Sequence, residues 1–161
     1  VRRVSGSFVV VEVEASTEPV LIEGDDVQLR QVVMNLVTNA YDALGESPGH
    51  MRVSSGARFF DATELSLGRS GALLTPRRYA FISVSDDGPG IPQASLNRVF
   101  EPFFSTKGPG RGLGLAAVIG IVNAHRGAII VESAEEQGTT FTVLFPAASG
   151  VPAPAPAGLT S

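Results

Sequence analysis

Leu29, Val32, Val33, Leu36, Ala40 and Leu44 return at steps of three and four residues, the spacing that gathers side chains into one stripe along a helix. A lone amphipathic helix cannot bury that stripe and must lie against another layer. The period changes on both sides of it. Residues 8–14 alternate valine with glutamate and residues 51–60 and 79–85 are rich in β-formers, so all three read as strands. A chain passing from strand to helix to strand is expected to form an α/β fold. The expected architecture is a two-layer α/β sandwich, a mixed sheet covered on one face by helices.

The long helix is expected to begin at Asp25 or Asp26, because Asp25-Asp26-Val27-Gln28 has capping-box spacing. Residues 45–49, Gly-Glu-Ser-Pro-Gly, stop it. A short strand at 20–22, a short helix over 93–99 and a clear helix over 113–124 are expected. His125 and Arg126 fall in the last turn of that second main helix and Gly127 suits its C-cap. Residues 128–132 and 139–145 read as closing strands. Residues 61–78 scatter leucines among turn formers and read as a long loop or irregular hairpin. From Pro146 the chain turns to repeated proline and alanine. The expected division is one domain over 1–146 and a semi-rigid linker or tail over 147–161.

A hydrophobic share of 43% beside a charged share of 17% is that of a folded domain. With 16 acidic and 12 basic residues the formal charge is −4, which argues against general attraction to nucleic acid or an anionic membrane. There is no cysteine, and the histidines are His50 and His125. Disulfides, thiolate chemistry and a histidine-rich metal site are thereby excluded. No apolar run reaches the roughly 18 residues of a membrane span, so this stretch is expected to be soluble and without direct membrane contact.

Three polar features could carry chemistry. Gln28, Gln31, Asn35, Asn39 and Asp42 share one face of the long helix; they are either a solvated stripe or amides facing a cavity. Asp86-Asp87-Gly88-Pro89-Gly90 follows a hydrophobic strand and is either a tight turn or the acidic wall of a pocket. Residues 107–115, Lys-Gly-Pro-Gly-Arg-Gly-Leu-Gly-Leu, place glycines and two cations ahead of a helix, a setting suited to an anion. That stretch lacks the Gly-Lys-Ser/Thr ending of a P-loop, and a proline-rich loop rather than a strand precedes it.

The order of these pieces resembles one family. Residues 31–43, Gln-Val-Val-Met-Asn-Leu-Val-Thr-Asn-Ala-Tyr-Asp-Ala, look like the N box of the histidine kinase, gyrase, Hsp90 and MutL ATPases. Residues 86–90 resemble the first glycine box, 100–104 the F box, 110–115 the second glycine box, and Gly138-Thr139-Thr140-Phe141 the closing element. Glu101-Pro102-Phe103-Phe104-Ser105-Thr106-Lys107, followed by the glycine-rich stretch, is similar to sensor histidine kinases of the nitrogen-regulation type.

The resemblance implies a Bergerat-type ATPase fold with ATP and Mg²⁺ as cofactors. It implies that Asn39 holds the metal, Asn35 and Asp42 stand beside the nucleotide, and Asp86 receives the adenine amino group. Gly88 and Gly90 then let the backbone approach the base, and Thr140 sits on the adenine side. Lys107 and Arg111, with the backbone of Gly108, Gly110, Gly112, Leu113, Gly114 and Leu115, would hold the phosphates; Asn39, Lys107 and Arg111 are the implied catalytic residues. The implied reaction is phosphoryl transfer to a histidine on a separate dimerisation domain, for relay to a response regulator receiver domain in the cytoplasm. Neither His50 nor His125 lies in the setting of such an acceptor. A nucleotide-binding regulatory module without transfer, or a gyrase- or MutL-like conformational ATPase, are the competing expectations.

Overall fold

The computed structural model describes residues 2–4, 7–69, 74–101 and 114–148. In chain order the elements are β1 (Arg2–Val4), β2 (Ser7–Glu14), α1 (Asp26–Leu44), β3 (Gly49–Phe60), α2 (Ala62–Ser66), β4 (Arg77–Asp86), α3 (Gln93–Leu96), α4 (Gly114–Ala124), β5 (Ala128–Ala134) and β6 (Gly138–Pro146). The strands form one sheet in the order β1-β2-β3-β4-β6-β5. Strands β2 and β3 pair in parallel with α1 as their connection, and the other neighbours pair antiparallel. The sheet is therefore mixed, as expected.

Asp25 caps α1 by accepting from the Val27 and Gln28 amides at 2.9 and 3.2 Å. The α1 stripe is buried at Val32, Leu36, Ala40 and Leu44. Helix α4, buried at Leu115, Val118 and Val122, joins it over Met51, Val84, Ile129, Phe141 and Val143 of the sheet. The two helices run antiparallel, because Asn35 meets Gly114 at one end and Asp25 meets His125 at the other. The His125 ring takes part at both nitrogens: Nε2 accepts from the Asp25 amide at 3.1 Å, and Nδ1 lies 2.8 Å from the Ile121 carbonyl, to which it donates. This histidine is structural, and it joins the end of α4 to the cap of α1.

Three local expectations need correction. Residues 20–22 form no strand; Leu21 instead accepts a bond from the Ala148 amide at 2.7 Å. The left-handed residue after α4 is Arg126, with φ 58°, and not Gly127. Residues 61–69 and 74–78 are more ordered than expected. They carry α2, whose N-terminus closes a reciprocal capping box between Asp61 and Glu64, and Arg69 bridges to Ile129.

This segment covers the second face of the sheet at one end. Leu65 and Leu74 pack on Phe60, Tyr79, Ile130 and Leu144, and the Tyr79 hydroxyl donates to the Thr75 carbonyl at 2.7 Å. Burial raises the Tyr79 hydroxyl above its ordinary range. A hydrogen bond from Arg58 at 2.8 Å, with a second from the Asp61 amide, holds the Glu64 carboxyl below its usual value. Of the expected tail, residues 147 and 148 are tied down: the Ala147 carbonyl accepts from Arg77 at 2.6 Å. Residues 149–161 lie outside the described residues.

Two outcomes follow for stability. Leu36 is fully buried, so Leu36→Ala should cost about 2–5 kcal/mol, read as a lower urea midpoint at unchanged slope. Glu64→Gln keeps the capping geometry and removes the charge. A lowered folded pKa means that the charge stabilises above the unfolded value near 4.5 and that this contribution disappears as pH falls through the folded value. The parent should therefore exceed Glu64→Gln in urea midpoint at neutral pH, and the two midpoints should converge in acid.

Candidate functional site

Asp86 ends β4 on the helix-covered face, where it shares parity with Ile82 and Val84. Its side chain is 8% exposed, and Oδ1 accepts the Gly88 amide at 2.9 Å. A buried carboxylate is costly unless donors surround it, so Asp86, beyond shaping the turn through the Gly88 amide, is a candidate site residue. The turn after it lies against α1: a Cβ on Gly88 would stand 3.0 Å from the Ala43 carbonyl oxygen and from Asp86 Oδ1. Across the sheet, Gly138 has φ 86°, and any Cβ there would overlap the Asp86 carbonyl. Gly90, with φ 79°, likewise approaches the Ala134 carbonyl.

The β5–β6 turn is fastened to this acidic segment. Ser133 Oγ accepts the Ile91 amide at 2.7 Å, donates to the Gly138 carbonyl at 3.0 Å and lies 2.8 Å from Thr139 Oγ1. Thr139 is buried and is the register partner of Asp86. Thr140, the threonine expected near the base, faces the other way: its hydroxyl lies 2.8 Å from Ser85 Oγ on the opposite face of the sheet. The alternation of β6 carried this signal, since Thr139, Phe141 and Val143 share the core face.

On α1, Asn35 is half-buried and donates through Nδ2 to the Gly114 carbonyl at 3.1 Å, while its Oδ1 accepts from Gln31 at 2.7 Å. Asn39, one turn further on, is half-buried, and Asp42 occupies the turn after that. The Asn39 amide offers an oxygen of the hard type that Mg²⁺ prefers, so the donor set suits that ion. No cluster of three or more His, Asp or Glu suited to a metal occurs among the described residues. Leu115 points into the core, so only its backbone is available to a ligand. The expected Lys107, Gly108, Gly110, Arg111, Gly112 and Leu113 lie outside the described residues.

Asp87 turns from the site. One of its oxygens accepts the His50 amide at 2.8 Å and the other lies 3.1 Å from His50 Nδ1. It anchors the start of β3, and the adjacent acid, Asp86, alone is buried.

The end of α1, the end of β4 and the β5–β6 turn thus meet around one buried acid, and the start of α4 meets α1 about two turns away at Asn35. Residues 24–149 match the family described as "Histidine kinase-, DNA gyrase B-, and HSP90-like ATPase". The chain is 39% identical over 125 residues to the sensor histidine kinase ZraS of Escherichia coli, covering 78% of this chain and 23% of ZraS. It is 37% identical over 142 residues to the sensory histidine kinase/phosphatase NtrB of Rhizobium meliloti, covering 87% of this chain and 35% of that protein. Among solved structures, full-length ShkA in complex with AMPPNP matches with a TM-score of 0.67 at 28% identity, covering 89% of this chain and 27% of that one. The chain thus spans about a quarter to a third of these proteins. Such homology supports ATP binding and a role in phosphotransfer in general. With this fold, this order of elements and these matches, the chain belongs to the histidine kinase-, DNA gyrase B- and HSP90-like ATPases and is homologous to the ATP-binding domains of sensor histidine kinases.

Proposed function

We propose that this chain binds Mg-ATP between α1 and the Asp86 turn and presents the γ-phosphate to a histidine on a separate dimerisation domain of the same sensor kinase, for relay to a receiver domain. The observation that carries the reading is the buried Asp86 carboxylate, braced by the Gly88 amide. It offers an acceptor to an exocyclic amine and would repel the carbonyl that guanine carries at the same position. Thr139, beside Asp86 in register, takes the adenine-side role in place of Thr140.

Asn39 holds the metal through its amide oxygen, and Asn35 and Asp42 line the same helix face. The bound ion supplies charge neutralisation across the phosphate oxygens. The first amides of α4, from Gly114 and Leu115, lack intrahelical partners and face the anion with the favourable end of the helix field. Lys107, Arg111 and the backbone of Gly108, Gly110, Gly112 and Leu113 complete the phosphate contacts. The chain's own work is positioning and electrostatics, with no proton transfer assigned to its residues. The similarity to ShkA, whose structure is titled as a complex with AMPPNP, favours a triphosphate ligand here. The proposed location is the cytoplasm, where ATP and the receiver domain are found together.

Calorimetric titration tests the site. The parent should bind Mg-ATP in the micromolar to sub-millimolar range. Asp86→Asn should weaken ATP by about tenfold or more, the loss of one hydrogen bond to a charged group, and should narrow the preference for ATP over GTP. Asn39→Ala should weaken binding with Mg²⁺ present and leave metal-free binding within about twofold, since only the metal contact is removed. Failure of the parent to bind any adenine nucleotide would overturn the reading.

A further inference from the structure

Helices α1 and α4 are tied by one polar link at each end of their contact. From Asp25 to Asn35 is ten residues, and from Gly114 to His125 is eleven, so the linked stretches are about 15 and 16.5 Å long at 1.5 Å per residue. The lengths match, and Leu36, Val118 and Val122 fill the space between the helices. The link at the far end ties both of its ring nitrogens to backbone groups. The link at the near end depends on an amide that can turn over. Asn35 reaches the Gly114 carbonyl only if its NH₂ faces α4, and a primary amide has no intrinsic preference between its two orientations.

The Gly114 carbonyl can only accept and so selects the NH₂, and Gln31 reinforces that choice from the other side. Gln31 stands one turn before Asn35, and its Nε2 donates to Asn35 Oδ1 at 2.7 Å. A donor at residue 31 engages the Asn35 oxygen and thereby points the Asn35 nitrogen at Gly114. We infer that Gln31 is a positioning residue: it holds the Asn35 amide in the orientation that Gly114 selects, and through it steadies the first turn of α4 against α1. The contact stands on the geometry alone. Its functional consequence, an α4 start held ready for phosphate, rests on the nucleotide reading proposed above.

Three substitutions at this exposed position separate donor chemistry from charge. Gln31→Leu removes the donor without adding charge. Gln31→Glu offers only acceptors, so the carboxylate competes with the Gly114 carbonyl for the Asn35 NH₂. Gln31→Lys restores a donor. The readout is amide hydrogen exchange in the nucleotide-free protein at Val118 and Ile119, the first amides bonded inside α4. Gln31→Leu and Gln31→Glu should speed exchange there by about fivefold, the effect of one neutral hydrogen bond, and leave exchange near Asn123 and Ala124 unchanged. Gln31→Lys should stay within about twofold of the parent. In parallel titrations, Mg-ATP affinity should fall in Gln31→Leu and recover in Gln31→Lys.

Equal exchange in parent and Gln31→Leu, or exchange in Gln31→Lys as fast as in Gln31→Leu, would overturn the inference. If the exchange pattern appears but the parent binds no nucleotide, the link stands and the proposed function falls. If nucleotide binds and the exchange pattern is absent, the inference alone falls.

Discussion

Strands β4 and β6 meet so closely at the Asp86 end that no side chain fits between Gly138 and the Asp86 carbonyl. This approach places the buried acid beside Thr139 and brings the β5–β6 turn within reach of Ser133, Ile91 and Pro89. The acidic turn is consequently braced from the sheet while α1 closes it from the other side at Ala43. Burying the Asp86 carboxylate is tolerable because the surrounding backbone supplies donors and is fixed in place. Rigid positioning before a ligand arrives is what an electrostatic site requires.

Much of this was legible from spacing. The apolar stripe of α1, its Asp25 cap and the strands of the central sheet each follow from local chemistry that tertiary packing reinforced. The assignment of the α1 amides and Asp86 to one site came from family resemblance, because distant elements leave no trace in local periodicity. Thr139 shows a different limit. Two adjacent threonines look equivalent as composition, and only the parity of β6 relative to the core distinguishes them. Residues 61–69 and 74–78 were hard to read because Leu65 and Leu74 take their places from Phe60, Tyr79 and Ile130, which lie on separate strands. Strand propensity at 20–22 was outweighed, and the bond at Leu21 goes to Ala148, just past the end of β6, outside any strand ladder.

The two faces of the sheet divide the work. Toward the helices, valine, isoleucine and phenylalanine make the main core. Away from them, near the Asp86 end, Ser83 pairs with Thr142, Ser85 with Thr140, and Arg52 with Glu12 and Glu14. Hydroxyl pairs and exposed ions are content in water, so this part of the sheet needs no covering layer. Only the far end of that face is apolar, and there α2 and its flanking leucines cover it.

That placement makes the connection between β3 and β4 a site of architectural tolerance. Its Leu65 and Leu74 sit on the face opposite Asp86, Arg69 reaches round to Leu96 and Asn97, and Leu67 is 65% exposed. Lengthening a surface connection costs only about 0.6 kcal/mol for each doubling, provided that Leu65, Arg69 and Leu74 keep their contacts. A label, a tether or an entire inserted module could enter near Leu67 and leave the chemistry on the other side of the sheet undisturbed.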